Sequence, residues 1–285
     1  SLASSLAVTG VCTAANFIPT EGQLANRNVI INGAMKVAQR GTSEASVNSQ
    51  KYADAPDRFK FKPNGTVAFT LSQATSSPNG FGFSYGFECS TANGSPGAGD
   101  YVWFEQRLEG FDVQRFNKGT ADALQFALSF YVKTNESGVY AVELDDEDNT
   151  RKVSGTFTVS DGNWNRHTII FPADTTGAFG DDSGRSLVVR WWLLAGSNYT
   201  SGSLNSTWGA PADSARAVGQ TGNVAADTSS EFYITGVQLE AGPAVTPFEH
   251  RSYIEDLARC QRYYYRETIA NNDFFTGMGM ADVDG

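Results

Sequence analysis

The sequence predicts an all-β protein, an antiparallel β-sandwich followed by one short α-helix. Two observations carry this. Nine segments between residues 66 and 250 are rich in β-branched and aromatic residues and are divided by Gly, Asn, Asp, Ser and Pro. No amphipathic helical pattern separates them, as a parallel α/β sheet would require. The chain has 285 residues, which allows two domains or one large all-β unit. The strand spacing favours one sandwich over residues 66–250 with two dependent ends.

Residues 1–27 are small and polar, with Leu6, Val8 and Val11 as scattered apolar side chains. So little apolar surface cannot offset the entropy of ordering the segment. It either threads along neighbouring chains or stays flexible, and its β-like Ala-Val-Thr-Gly-Val pattern favours threading. In residues 28–41, Val29–Ile31 and Met35–Ala38 flank Asn32-Gly33, a strong hairpin signal. Residues 28–65 therefore read as a lead-in hairpin and a polar linker.

The expected strands are 67–73, 81–89, 101–109, 124–133, 139–145, 153–159, 165–171, 186–195 and 231–240. Period two is plain in the fourth, where Leu124, Phe126, Leu128, Phe130 and Val132 alternate with Gln125, Ala127, Ser129, Tyr131 and Lys133. In the eighth, Val189, Trp191 and Leu193 face away from Val188, Arg190 and Trp192. Within 251–285, Ser252 and Glu255 have the spacing of a capping box and open the single helix. Ile254, Leu257 and Ala258 fall on one face of it, and Glu255–Arg259 form an i,i+4 pair. Beyond Thr268 no closing element follows, so the end reads as cut or mobile, and the missing initiator Met reads as a piece of a longer product or a trimmed one.

Composition removes several function classes. Lys plus Arg number 21 against 31 Asp plus Glu, a net charge of −10. That excess of acid argues against a nucleic-acid partner, whose phosphates need Lys and Arg. No run of 18 apolar residues occurs, so no membrane insertion is expected. Cys12, Cys89 and Cys260 are far apart and form no C-x-x-C, so they read as separate thiols. No cofactor is expected, because phosphate-loop, dinucleotide and metalloprotease motifs are all lacking.

Catalysis has little to build on. His167 and His250 have no G-x-S-x-G serine to serve and read as structural. Glu105, Glu109, Glu143 and Glu240 lie in or at the ends of strands, but a glycosidase needs two carboxyls at fixed separation and one raised pKa. The expectation is a non-enzyme. Metal binding is expected to be absent too; Asp145 and Asp146, with Asp181 and Asp182, are weak calcium candidates, and solvated turns describe them better.

Aromatic residues make up 12% of the chain and offer the better signal. A sugar site needs flat apolar faces with a few placed polar groups. Tyr101, Trp103, Glu105 and Arg107 alternate onto one strand face; Tyr131 with Lys133 and Arg190 with Trp192 make similar faces. Tyr101, Trp103, Arg107, Tyr131, Arg190 and Trp192 are thus the candidate carbohydrate-binding residues, although packing remains the ordinary role of an aromatic in a sandwich. Arg190 argues that its face is not a dry core, since unpaired buried charge is costly. The 196–230 stretch is a long loop in which Tyr199 and Trp208 are anchors, onto the chain's own sheet, a sister subunit or a glycan.

Several phrases then resemble one family in order. NVIINGAMKVAQRG is similar to the opening of phage tail-fibre and related virion proteins. FEQRLEG, LSFYVK, the W-x-x-x-T-I-x-F-P stretch at 164–172, FYITGVQLEAG and TPFEHRSYIEDLARCQRYYYR follow collinearly, covering residues 28–266. Residues 1–27 resemble the last repeat of a fibre shaft. The resemblance implies a homotrimeric virion appendage whose central domain is a jelly roll like a carbohydrate-binding module. It implies self-association, other tail or head proteins as partners, attachment to a host-surface glycan or a structural role, and no defined catalytic set.

Overall fold

Two antiparallel sheets pack face to face in a computed structural model that describes residues 25–266. One sheet has six strands in the order β1-β3-β4-β11-β6-β9, and the other has five in the order β2-β5-β10-β7-β8. The strands are β1 (Ser43–Val47), β2 (Phe59–Asn64), β3 (Ala68–Ala74), β4 (Ser84–Thr91), β5 (Tyr101–Glu109) and β6 (Phe126–Thr134). After them come β7 (Gly138–Asp146), β8 (Arg151–Val159), β9 (Asn165–Phe171), β10 (Arg185–Ala195) and β11 (Glu231–Ala241). The chain crosses repeatedly between the sheets, as a jelly roll does, and all nine expected strands are present.

Alternation fixes which face each residue takes. Phe126, Leu128, Phe130 and Val132 of β6 are buried between the sheets, with Val189, Trp191 and Leu193 of β10. Phe104 lies parallel to Trp191 with ring centres 5.1 Å apart. Phe61, Phe69 and Phe87 extend this aromatic layer. Because the pleat alternates, the same strands must turn Arg190, Trp192, Trp103 and Glu105 to the outer side.

Residues 28–65 differ from the expected hairpin and linker. β1 pairs with β3, and β2 pairs with β5 over Phe59–Asn64, so both are edge strands of the sandwich itself. The Asn32-Gly33 turn exists, with Met35 N–H bonded to the Asn32 carbonyl, but no hairpin closes around it. Side-chain amides do the pairing instead. Gln106 accepts from Ile31 N–H at 2.8 Å and donates to the Ile31 carbonyl at 2.9 Å. Asn32 makes the same two bonds to Val37, both at 2.9 Å, and Asn28 ties Ile30 to Val237 and Leu239. Gly33 is required by close approach, since a Cβ there would stand 2.1 Å from the Val237 carbonyl oxygen.

The helix runs Tyr253–Gln261, and the Ser252 hydroxyl accepts from Glu255 N–H as the capping pattern predicts. Its packing face is only partly the expected one, Leu257 alone of the three apolar residues lying on it. Cys260, with Leu257 and Tyr263, packs against Ile31 and Val37, while Ile254 is 75% exposed and Ala258 is exposed. The helix is fixed by the polar seam of Arg251, which donates to the Asn28 and Ile30 carbonyls, so its rotation answers to that seam and not to Ile254. The expected threading segment lies outside the described residues except for residues 25–27, as do Cys12 and the end beyond Arg266. Among the described residues no helix is long and apolar enough to cross a membrane.

Candidate functional site

The outer face of the five-stranded sheet gathers most of the candidate residues. Register sets Trp103 opposite Trp192, and sets Arg190 between Glu105 on β5 and Glu143 on β7. Arg190 is buried and bonds Glu105 at 3.0 Å, Glu143, and Asp145 at 3.3 Å. The arginine argues for a face that is not a dry core; the face is buried all the same, because Arg190 has its charge paired with three carboxylates there. Burial alone would raise the Glu143 carboxyl, but Arg190 and Arg216 outweigh it and hold the pKa down to about 2. Glu105 is lowered in the same way, with burial opposed by Arg190 and Arg107.

The 196–230 loop straps this layer. Arg216 reaches Glu143 and covers Trp192 and Trp103, with its guanidinium 4.9 and 5.2 Å from their ring centres. Tyr199 packs on Trp192 at 5.2 Å and on Tyr101 at 5.6 Å. Farther along, Trp208 enters the main core beside Phe126 and donates its indole N–H to the Pro172 carbonyl. Both anchors therefore hold the loop to the chain's own sheets.

This strap changes the candidate list. Trp192 is fully buried and Trp103 is 4% exposed, so neither offers a free ring face to a ligand. Arg190 is likewise enclosed by its carboxylates. Tyr101 stays half-exposed, stacked on Trp103 with ring centres 3.8 Å apart. Arg107 is half-exposed and paired with Glu105. Tyr131 belongs elsewhere: it lies on β6, on the outer face of the other sheet, against Phe81 at 5.4 Å. The accessible rim is thus Tyr101 and Tyr199, and beside it Lys62 of β2 sits over the Trp103 ring at 5.2 Å.

Of the four calcium candidates Asp181 is exposed, and the other three are occupied by other work. Asp145 pairs with Lys152 at 2.7 Å, and Asp146 pairs with buried Lys118 at 2.6 Å. Asp182 accepts from Gly184 N–H, which is the turn role expected of it. No acidic, histidine or cysteine cluster among the described residues has the arrangement of a metal site. A cleft of about 350 Å³ beside Lys152 is lined by Asp145, Glu147, Thr150, Pro211 and Asp213 and carries no aromatic ring. His167 lies between Phe130 and Phe157, where burial lowers its pKa, and His250 packs on Phe81 and Phe248.

Lys62, Tyr199 as part of the rim, and Arg216 were not among the expected site residues. Two signals pointed to them. F-K-F-K at 59–62 alternates as a strand, and Arg216 is the one cation in the 196–230 loop.

No family model matches the chain, and no curated protein sequence matches it. Among solved structures it is similar to the enzymatically active domain of tailspike protein 4 of bacteriophage CBA120, at 10% identity and a TM-score of 0.36. That match covers 75% of this chain and 21% of the other, so the chain spans about a fifth of the tailspike domain's length. It is similar to a family 11 carbohydrate-binding module from Clostridium thermocellum in complex with a β-1,3-1,4-mixed-linked tetrasaccharide. There identity is 8%, the TM-score is 0.34, and 72% of this chain and 98% of that one are covered. A third likeness is to a TmCBM61 structure with β-1,4-galactotriose, at 10% identity, a TM-score of 0.36, and coverage of 76% and 99%. These are weak likenesses, and no residue role passes from those proteins to this chain.

Proposed function

We propose that the chain is a non-catalytic attachment module of a phage virion appendage that meets a host-surface saccharide at the Tyr101–Tyr199 rim. The observation that carries the saccharide part is that rim: two half-exposed phenol rings, edge to face at 5.6 Å, one on β5 and one on the loop packed over it, with cationic side chains beside them. Such rings give a flat apolar flank to a sugar, and the neighbouring polar groups fix its orientation. The phage part rests on the collinear phrases of residues 28–266. Residues from several of those phrases act together in the fold: Asn28, Glu249 and Arg251 tie the two ends of the described chain to each other and to β11, and Gln106 of β5 pairs with Ile31.

The absence of catalysis in this proposal is supported by electrostatics. A glycosidase acid needs a raised pKa. Glu105 and Glu143 are lowered by arginines instead. Trimer formation is also part of the reading, supported by the apolar Tyr253 and Ile254 on the surface of the helix, 53% and 75% exposed.

The test is binding of the full chain to host cells and to a glycan array, with Tyr101→Ala and Tyr199→Ala beside it. Binding that both variants weaken is the expected result. Binding by neither the chain nor the labelled virion to any glycan would leave a purely structural virion role. The closed state of Trp103 and Trp192 favours that second reading.

A further inference from the structure

Cations outnumber carboxylates on the outer face of the five-stranded sheet. Across its centre lie Lys60, Lys62, Arg107, Lys152, Arg190 and Arg216, against Glu105, Glu143 and Asp145. Asp213 on the strap adds a fourth acid, exposed and bonded to Arg216. Glu109, at the far end of β5, is taken by Arg262. The three sheet carboxylates are consumed by Arg190, Arg216, Lys152 and Arg107. The surplus therefore falls on β2, where the side chains of Lys60 and Lys62 make no hydrogen bond or salt bridge with a described residue and lie instead over aromatic rings, Lys60 over Tyr52 at 5.6 Å and Lys62 over Trp103.

The two lysines are not ordinary solvated ends. Both are half-buried, because β2 pairs with β5 and sets Lys62 across from Trp103 and Lys60 across from Glu105. Lys62 sits on the same indole that Tyr101 stacks against. Burial lowers its pKa; Glu105 opposes that shift, and Arg190, Arg107 and Arg216 reinforce it. An ammonium held among guanidiniums on an aromatic ledge gains from an incoming anion, which relieves the repulsion and supplies an acceptor. The net charge of −10 works against an anion at a distance. That field is screened within about 8–10 Å at physiological ionic strength, whereas Lys62 acts at contact.

We infer that Lys62, with Lys60, makes the Tyr101–Tyr199 rim a site for acidic saccharides, the sugar ring lying on the phenols and its carboxylate on the ammonium of Lys62. The inference rests on the saccharide reading of that rim and adds its ligand class. A neutral polymer leaves the lysines unanswered, and a simple anion leaves the rings unused.

The experiment titrates the full chain with alginate, polygalacturonate and hyaluronan fragments, with neutral cellodextrin and laminarin fragments of matched length, and with oligothymidylate. At least one acidic saccharide is expected to bind about tenfold or more tighter than the neutral ones. The double variant Lys60→Gln/Lys62→Gln is expected to lose that preference, about the effect of removing a charged hydrogen-bond partner. Lys62→Arg keeps the charge and is expected to keep the preference, whereas the single variant Lys62→Gln is expected to lose most of it and decides the matter if the double variant misfolds. Neutral saccharides binding as tightly as acidic ones would overturn the inference while leaving the saccharide reading intact. No saccharide binding at all would overturn both. Retained preference in the double variant, or equal lysine-dependent binding of oligothymidylate, would overturn the acidic-saccharide assignment.

Discussion

Arg216 on the strap meets Glu143 on β7 fork to fork, with Nε 2.8 Å from Oε2 and Nη2 2.9 Å from Oε1. This pair ties down the strap whose Arg216, Ala217 and Tyr199 cover Trp103 and Trp192. Truncation of Arg216 leaves Glu143 still paired with Arg190, so no carboxylate is orphaned. Arg216→Ala is therefore expected to cost about 1–3 kcal/mol, the range for a charged hydrogen bond. Glu143→Ala takes one of three carboxylates from buried Arg190 and both bonds from Arg216, and is expected to cost more, about 3–5 kcal/mol. Urea unfolding gives the order. Tryptophan emission gives the strap: Arg216→Ala should shift it to the red, and an unchanged spectrum would show that the strap stays down without its arginine.

Acid should open the same layer. The Glu143 carboxyl sits at 4.5 when unperturbed and at about 2 in the fold. A lowered carboxyl contributes stability that is complete above its unfolded pKa and is lost as pH falls through the folded one. Stability is thus expected to decline between pH ~4.5 and ~2. Glu105 and Asp174, also lowered, act in the same direction, whereas buried Asp256 is raised by desolvation and partly offsets them. Glu143→Gln should flatten the acid limb of a stability–pH curve. A curve of unaltered slope would place the acid sensitivity elsewhere.

The sheets were legible because strand period is a local property. Trp191 and Trp192 are neighbours, yet the alternation around them assigned one inward and one outward, and they lie so. Whether the outward one meets solvent is not local. It depends on the course of the 196–230 loop and on one arginine reaching back 73 residues to Glu143. Asn32-Gly33 shows the same divide. The turn was readable, but its partner is the Gln106 amide of a distant strand, and no short-range pattern announces a side chain acting as a strand. β1 left no signal because Ser43–Val47 is an edge strand that buries only Val47.

That amide pairing predicts a sharp cost. Gln106→Leu keeps the volume but leaves the N–H and carbonyl of Ile31 buried and unpaired. Each unmade bond costs about 1–3 kcal/mol, so the variant is expected to lose roughly 2–6 kcal/mol. Gly33→Ala is expected to act on the same segment by steric contact with Val237. Native-state hydrogen exchange should show residues 28–37 opening first in both variants. Uniform loss of protection would mean that this segment has no separate hold.

Lys118 has a fully buried side chain, yet it carries a charge that four oxygen-bearing residues hold. Its ammonium is 2.6 Å from Asp146 and 3.1 Å from Asp174, and it donates to the carbonyls of Thr176 and Gly177. Lys118→Met has nearly the same shape and removes only the charge. Asp174 keeps Arg151 at 2.7 Å, but Asp146 retains only neutral donors from Asn149. The expected loss is about 3–5 kcal/mol, because a buried carboxylate is stranded. Urea unfolding at neutral pH reads that loss. A loss below about 1 kcal/mol would mean that the Asn149 donors alone satisfy Asp146.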